Sequence, residues 1–251
     1  MRKQKERNSI VIIVAYVVLG IISFMCIAPV VLMAVASFTD NDVLNLYGYT
    51  YFPQKWSLEA YEFLIKQGTV ISKSFLNSIL VTFMGTALGI MVTVLLAYTI
   101  SRKELVGRKL IMLFVFFTML FNGGMVPTYL MYTQIFHIKN TMWALLFPHL
   151  LVNGFNVLLV RTFFNENIPE VLLEAARIDG AGEISIFRNV VLPISKPILA
   201  TIGLLVGVGY WNDWYNGLLY LTNTKLFSLQ NYLNRILLDI QFMTQSMAGS
   251  A

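Results

Sequence analysis

The polar side chains that could bind a solute are few, uncharged and set within apolar sequence. His149, Asn153 and Asn156 are separated by four and then three residues, a spacing that would place them on one face of a helix. Asn122 lies in an earlier apolar stretch. Amide and imidazole groups can bond hydroxyls without a net charge, so these residues predict a path for a sugar-like solute. Hydrogen bonding between helices as structural support is an equally open interpretation.

A cluster of aromatic residues follows the last long apolar stretch. Trp211, Trp214 and Tyr215 could stack on sugar rings. An interfacial belt of aromatic side chains at the membrane surface is the alternative, and it explains the cluster at least as well.

Residues for catalysis or energy conversion are absent from the sequence. The two histidines, His137 and His149, have no neighbouring carboxylate, and we find no metal-ligand cluster, catalytic triad or carboxylate pair. The phosphate-binding pattern GxxxxGK[ST] is missing, and no Asp, Glu, Lys or Arg lies deep within an apolar stretch. The sequence therefore predicts neither an enzyme nor an ion-coupled transporter, and any energy must enter from another subunit.

One polar segment, EAARIDGAGEISIFRNVVLP, stands out between two apolar stretches. Asn167 is predicted to cap a helix whose first turn contains Pro169, and Gly180 can take the left-handed conformation that ends it. A second short helix, EISIFRNVV, is predicted to run to Pro193, and Pro197 then opens the next span. The predicted apolar positions are Val171, Leu172, Ala175 and Ile178 in the first helix, and Ile184, Phe187 and Val191 in the second.

Two interpretations of this helical elbow remain open. It could lie on the lipid headgroups as an interfacial helix pair. It could instead dock a soluble partner, because its small residues would allow a close approach: Ala175, Ala176, Gly180 and Ala181.

The elements around these residues have the composition of a membrane protein. The chain is 57% hydrophobic and only 12% charged, against about 25% charged in soluble domains. Stretches free of charged residues predict five spans, over residues 8–39, 74–101, 110–138, 140–160 and 197–212. The glycines and proline of FNGGMVP predict a break in the third span. The pairs Gly85/Gly89 and Gly203/Gly207 predict close helix contacts.

The basic residues predict the orientation. Most of them fall before the first span, in the loop near residue 105 and in the polar segment, so these parts are predicted to be cytoplasmic. Residues 40–73 would then lie outside. The alternative that the first span is a cleaved signal peptide is disfavoured because the apolar stretch is about twice the usual 7–15 residues.

The polar segment resembles the signature of the permease subunits of bacterial ATP-binding-cassette importers. That signature reads E-A-A, three residues, G, nine residues, I, one residue, L-P, and the chain departs from it only in having Val190 for isoleucine. The carbohydrate-importer branch, and within it the second permease of maltose-type systems, is the most similar group. FNGGMVPTYL, LLVRTFF and WNDWYNGLL resemble a subgroup that imports oligosaccharides released from polysaccharides.

The resemblance implies that the elbow is the coupling helix that fits a cleft on the ATPase. The residues carried over from the motif and its surroundings are Glu174, Ala175, Ala176, Asp179, Gly180, Phe187 and Pro193. It implies three partners: a second permease that forms a heterodimer with this chain, an ATPase dimer that binds ATP and Mg²⁺, and an extracytoplasmic sugar-binding protein. No cofactor in this chain and no nucleic-acid partner are expected.

These observations together predict an all-α integral membrane protein. The N-terminus (residues 1–9) would be cytoplasmic, residues 10–221 would form the transmembrane domain with the cytoplasmic coupling segment 167–193, and residues 222–251 would be extracytoplasmic. The family usually has six spans, so the last span is expected to be missing from this sequence. Leu229, Leu233, Ile236 and Ile240 predict an amphipathic helix there. Alternative functions are a membrane scaffold or receptor without its own substrate, or a permease for a non-sugar solute.

Overall fold

The computed structural model describes residues 2–148 and 150–248, and within these ranges the chain is helical, without a β-strand. The predicted all-α class is thus confirmed for the described residues, whereas His149 lies outside them. The chain divides into two compact units, Met1–Ile71 and Ser72–Ala251.

The first unit contains one long helix followed by two short ones. Helix α1 (Arg2–Ser37) is followed by α2 (Asn41–Tyr47) and α3 (Glu59–Lys66). Asp40 caps α2 by accepting a hydrogen bond from the Asp42 amide, and its other oxygen lies 2.6 Å from Lys55 Nζ. The Lys55 ammonium holds the pKa of Asp40 below its usual value.

The remaining helices are listed here in chain order: α4 (Gly68–Ser101), α5 (Arg108–Leu120), α6 (Met125–Ile135), α7 (Trp143–Leu146), α8 (Gly154–Asn167), α9 (Glu170–Ile178), α10 (Glu183–Ile194), α11 (Lys196–Trp211), α12 (Tyr215–Tyr220) and α13 (Leu229–Ala248). A single 3₁₀ turn, Thr224–Leu226, precedes α13. Helices α6 and α10 each contain a π-helical turn, at Met131–Ile135 and Phe187–Val191.

Two helices are long and apolar enough to cross a membrane, α1 over Ile12–Ser37 and α4. Two further pairs qualify only if each bent pair counts as one span: α5 with α6, bent by 117°, and α10 with α11, bent by 80°. The predicted break in the third span is therefore confirmed. The described residues give up to four spans by this measure, against the five predicted.

The fourth predicted span, residues 140–160, is wrong as a continuous helix. Helix α7 ends at Leu146, shortly before Pro148, which has no amide hydrogen to continue the helical hydrogen bonds. Helix α8 starts afresh at Gly154, where the Asn153 side chain accepts hydrogen bonds from the amides of Phe155 and Asn156. Composition predicted an apolar segment correctly but not the interruption within it.

Glycines bring α4 and α11 into close contact, as predicted. A Cβ atom at Gly85 would lie 2.5 Å from the Tyr210 ring, and one at Gly89 would lie 3.1 Å from Val206. On the α11 side of the contact, a Cβ at Gly203 would lie 3.2 Å from Ile90 of α4. The two glycine pairs therefore belong to one helix–helix interface.

The second unit has two clusters of buried apolar residues. The first joins α4, α5, α8, α9, α10 and α11. The second joins α4, α7, α11 and α12 around Tyr210 and Tyr220. The predicted terminal helix, α13, is confirmed, and Arg235 attaches it to the end of α12 by donating to the Leu221 carbonyl at 2.8 Å.

Candidate coupling surface and solute pocket

The predicted helical elbow is present and has the glycine turn expected for it. Gly180 has φ +80°, and its amide donates to the Arg177 carbonyl while the Ala181 amide donates to the Ala176 carbonyl. This pair of bonds is the Schellman motif that ends helices at a left-handed residue. The predicted cap was wrong: Asn167 is the last residue of α8, and Pro169 occupies the position before α9.

The apolar residues of the elbow divide between the core and the surface. Leu173 of α9 is buried in the first core cluster, with Ala176 beside it. Val171 and Ile178, which belong to the predicted apolar face of α9, are 72% and 86% exposed. In α10, Val191 is buried, whereas Ile184 is 84% exposed.

A network of polar contacts holds the elbow against the end of α4. Arg177 Nη1 lies 2.9 Å from Glu104 Oε1, and Arg177 Nη2 lies 3.0 Å from Glu183 Oε1. The Tyr98 hydroxyl donates to Glu183 Oε2 at 2.7 Å. A second ion pair, Lys103 with Glu170 at 2.7 Å, attaches the start of α9 to the same loop.

Packing and charge contribute differently to this junction. The Arg177 guanidinium lowers the pKa of Glu104, and the two glutamates raise the pKa of Arg177. Such partly exposed ion pairs are worth about 0.2–1 kcal/mol each. Burial of one aliphatic side chain such as Leu173 is worth about 1.5–3 kcal/mol. Packing therefore supplies most of the attachment, and the ion pairs fix its orientation.

The residues of the importer motif divide between the surface and the junction. Glu174, Ala175 and Asp179 are exposed, whereas Ala176 is half-buried. The Phe187 ring lies 4.9 Å from the Tyr98 ring, so it belongs to the junction. Pro193 is exposed near the end of α10, and Pro197 lies in the first turn of α11, as predicted.

The predicted polar face at His149, Asn153 and Asn156 is not a helical face. Asn153 is the cap of α8, so the sequence before it does not continue the helix. Asn156 lies in the first turn of α8 and is buried. The regular spacing was misleading because it assumed one uninterrupted helix.

Asn122 lines a pocket of mixed polar and apolar residues that the sequence did not predict as a unit. The pocket has a volume of about 420 Å³ and is also lined by Asp213, Tyr215 and Asn216. Asn122 Oδ1 accepts a hydrogen bond from the Gly124 amide at 2.9 Å, which shapes the break between α5 and α6. Asn216 is buried, and its Nδ2 donates to the Pro148 carbonyl at 3.0 Å.

The aromatic cluster has two environments. Trp211 packs edge-on against Phe75 of α4, with ring centroids 5.8 Å apart. Trp214 is 40% exposed and packs edge-on against Tyr215, a residue of the pocket.

Sequence reasoning missed the residues that orient the elbow and complete the pocket. Tyr98, Glu104 and Glu183 come from separate stretches, and no local pattern connects them. Asp213 and Asn216 were visible in WNDWYNGLL, where polar residues directly follow an apolar helix. Their position at a helix end was the one available signal.

Comparison with known proteins matches this arrangement to a family. Residues 85–247 match the family described as the inner membrane component of binding-protein-dependent transport systems. The polygalacturonan/rhamnogalacturonan transport system permease protein YtcP of Bacillus subtilis (strain 168) is 36% identical over 242 residues, which cover 96% of this chain and 83% of YtcP. The trehalose/maltose transport system permease protein MalG of Thermococcus litoralis is 30% identical, over 89% of this chain and 79% of MalG.

A solved structure has the same fold. A chain of a bacterial ABC transporter involved in the import of the acidic polysaccharide alginate superposes with a TM-score of 0.81 at 28% identity. The match covers 94% of this chain and 84% of that one.

The fold, the elbow and these matches define a class of helical, multi-pass inner-membrane permeases. This chain belongs to the family of inner membrane components of binding-protein-dependent transport systems. It is a permease subunit of an ATP-binding-cassette importer and not an enzyme, and the ATPase is a separate subunit. The predicted resemblance to permeases of carbohydrate importers is confirmed.

Proposed function

We propose that this chain carries a carbohydrate across the cytoplasmic membrane and that its elbow, α9 to α10, transmits the motion of the separate ATPase. The carbohydrate is an oligosaccharide released by polysaccharide breakdown. The observation that carries the coupling role is an elbow whose outer apolar side chains are exposed while its inner ones are buried in the helix bundle.

The exposed side of the elbow has the composition of a docking surface. Val171, Ile178 and Ile184 are each more than two-thirds exposed. A rim of polar groups accompanies them, including Glu174 and Asp179. Apolar patches with polar rims mark protein–protein contacts, so the ATPase would cover this surface.

The buried side of the elbow explains how a docking motion would reach the spans. Leu173 and Ile186 pack in the cluster that also contains residues of α4, α8 and α11. Close-packed interiors deform little, so a push on the elbow would move these helices together. The Arg177 ion pairs would keep the two short helices in fixed orientation during that motion.

A carbohydrate is the solute class that the polar residues and the relatives favour. The relatives include permeases whose names specify polygalacturonan or rhamnogalacturonan and trehalose or maltose. In the pocket, Asn122, Asp213 and Asn216 offer the amide and carboxylate groups that bond hydroxyls. We infer that this pocket belongs to the solute path, with Trp214 beside it, and that Trp211, Asn153 and Asn156 serve mainly to support the helices.

The orientation and the partners complete the proposal. Residues 1–9 and the coupling segment 167–193 are cytoplasmic within the transmembrane domain 10–221, and residues 222–251 are extracytoplasmic. The basic residues that surround the elbow support this orientation. The chain pairs with a second permease, an ATPase dimer that binds ATP and Mg²⁺, and an extracytoplasmic sugar-binding protein, within membrane lipid.

A charge placed on the elbow tests the coupling role. In the complete importer reconstituted in vesicles, Ile184→Asp should abolish oligosaccharide uptake and release the ATPase from the permease pair. Val106→Asp is the matched control, because Val106 is 96% exposed in the loop between α4 and α5 and lies off the elbow. Normal uptake in the Ile184→Asp importer would refute the coupling assignment. The carbohydrate assignment would be refuted if the intact importer's rate of ATP hydrolysis were not raised by any binding protein loaded with an oligosaccharide.

A further inference from the structure

A basic cleft, separate from the outer side of the elbow, lies at the adjoining ends of α4, α5 and α8. It has a volume of about 660 Å³. Five of its lining residues are basic, namely Arg102, Lys103, Arg108, Arg161 and Arg177, and three are acidic, namely Glu104, Glu166 and Glu170. The basic residues come from the loop after α4 and from helices α5, α8 and α9, so the fold brings together positive charges from separate parts of the chain.

The internal ion pairs leave an excess of cations in the cleft. Lys103 is neutralised by Glu170, and Arg177 by Glu104. No salt bridge to Arg102, Arg108 or Arg161 is formed within residues 2–148 and 150–248. Three arginines and one carboxylate, Glu166, thus line the cleft outside these two ion pairs. Arg102 is held by the Tyr98 ring, 4.6 Å from its guanidinium carbon, and by the Ser101 hydroxyl, which leaves Arg108 and Arg161.

Arg161 is the least satisfied of these groups. Its Nε atom is buried and has no hydrogen-bond partner in the described part of the chain. A buried donor without a partner is costly, by about 1–3 kcal/mol, so such a group indicates a missing acceptor. Arg161 stands six residues before the end of α8, which is about 9 Å along the helix axis.

We propose that this cleft binds the phosphate group of an anionic phospholipid such as phosphatidylglycerol. Its lining also includes Phe164, Ile168 and Leu173, which are 5% exposed or less and form its apolar floor. Basic pockets between membrane helices at the cytoplasmic surface are suited to anionic headgroups. The depth of Arg161 along α8 favours a ligand that enters from the bilayer over a soluble anion. The inference rests on the cytoplasmic orientation proposed for the elbow.

Lipid retention by the complete importer complex tests the proposal independently of transport. The purified complex in neutral detergent is titrated with phosphatidylglycerol or phosphatidylcholine, and bound lipid is counted by native mass spectrometry. The unmodified complex should retain phosphatidylglycerol in preference to phosphatidylcholine. Arg161→Gln and Arg108→Gln should each weaken that retention about tenfold, as expected for loss of one charge-assisted hydrogen bond.

The matched control is Lys109→Gln, which removes the same charge from an exposed neighbour outside the cleft. Its retention of phosphatidylglycerol should stay within about twofold of the unmodified complex.

An equal loss in Lys109→Gln would show diffuse surface attraction and overturn the proposal. Displacement of the lipid by millimolar inorganic phosphate would also overturn it, since the site would then bind a soluble anion. Release of the ATPase by Arg161→Gln in detergent without added lipid would overturn the proposal as well, because the cleft would then be part of the interface with the ATPase. Failure of sugar uptake in an importer that still retains the lipid would count against the proposed function alone.

Discussion

At the scale of single residues, Gly180 has a backbone conformation that favours glycine at the turn of the elbow. Its φ of +80° is strained for a side chain branched at Cβ, although the space around it is open. Gly180→Val should therefore cost roughly 1–3 kcal/mol of local strain and distort the elbow. We expect uptake by the reconstituted importer to fall severely while the permease is still inserted in the membrane at normal amounts.

Gly182 supplies the control for that substitution. It has φ −71°, and a Cβ there would meet nothing within 4 Å. Gly182→Val should keep most of the uptake, because valine adopts that conformation without strain. If both variants transport normally, the geometry of the elbow does not limit coupling.

At the scale of elements, the formation of the helices could be predicted from the sequence more accurately than the contacts that each helix makes. The elbow was predictable because Gly180 marks its turn and Pro193 lies near its end. The buried face of α9 was not predictable, since periodicity identifies apolar positions but cannot tell a core from a partner surface. Leu173 faces the core, and Val171 is exposed. Helices α7 and α8 were predicted as one because apolar composition outweighed Pro148 and the cap at Asn153.

The contact between α4 and α11 leads to a prediction about stability. An added methyl group at Gly85 would lie 2.5 Å from the ring of Tyr210, which is itself held by a 2.7 Å hydrogen bond to the Leu146 carbonyl. Gly85→Ala should destabilise the permease by about 1–3 kcal/mol, the usual cost of overpacking. A lower midpoint for heat-induced aggregation of the purified permease would measure this.

Gly20 provides a comparison within another apolar helix. Nothing lies within 4 Å of a Cβ built there, so Gly20→Ala should not lower the midpoint, and the better helix propensity of alanine favours a small increase. Equal midpoints for Gly85→Ala and the unmodified protein would mean that α4 and α11 are not closely packed.

At the scale of the whole molecule, the pocket lined by Asn122 shows the limit of local reasoning. Asn122 comes from the break between α5 and α6, Asp213 from the segment between α11 and α12, and Asn216 from the first turn of α12. Each lies beside a helix end that the sequence indicated, but their proximity depends on how the bundle folds. The network of Tyr98, Glu104 and Glu183 depends on the same long-range packing.

The orientation of the whole chain can be tested without reference to transport. In a Cys26→Ser background, which removes the one native thiol, single cysteines are introduced as Gln54→Cys or Ser185→Cys. Both positions are exposed in this chain. The permease is produced without its ATPase, so that the proposed docking does not shield the cysteine at 185 and differences in labelling report the side of the membrane. An impermeant thiol reagent added to intact cells should label the cysteine at 54, whereas the cysteine at 185 should react only after the membrane is permeabilised. The physical reason is the excess of Lys and Arg around the elbow, which retains that side in the cytoplasm. The reverse labelling pattern would contradict the proposed topology and, with it, the placement of the elbow on the ATPase side.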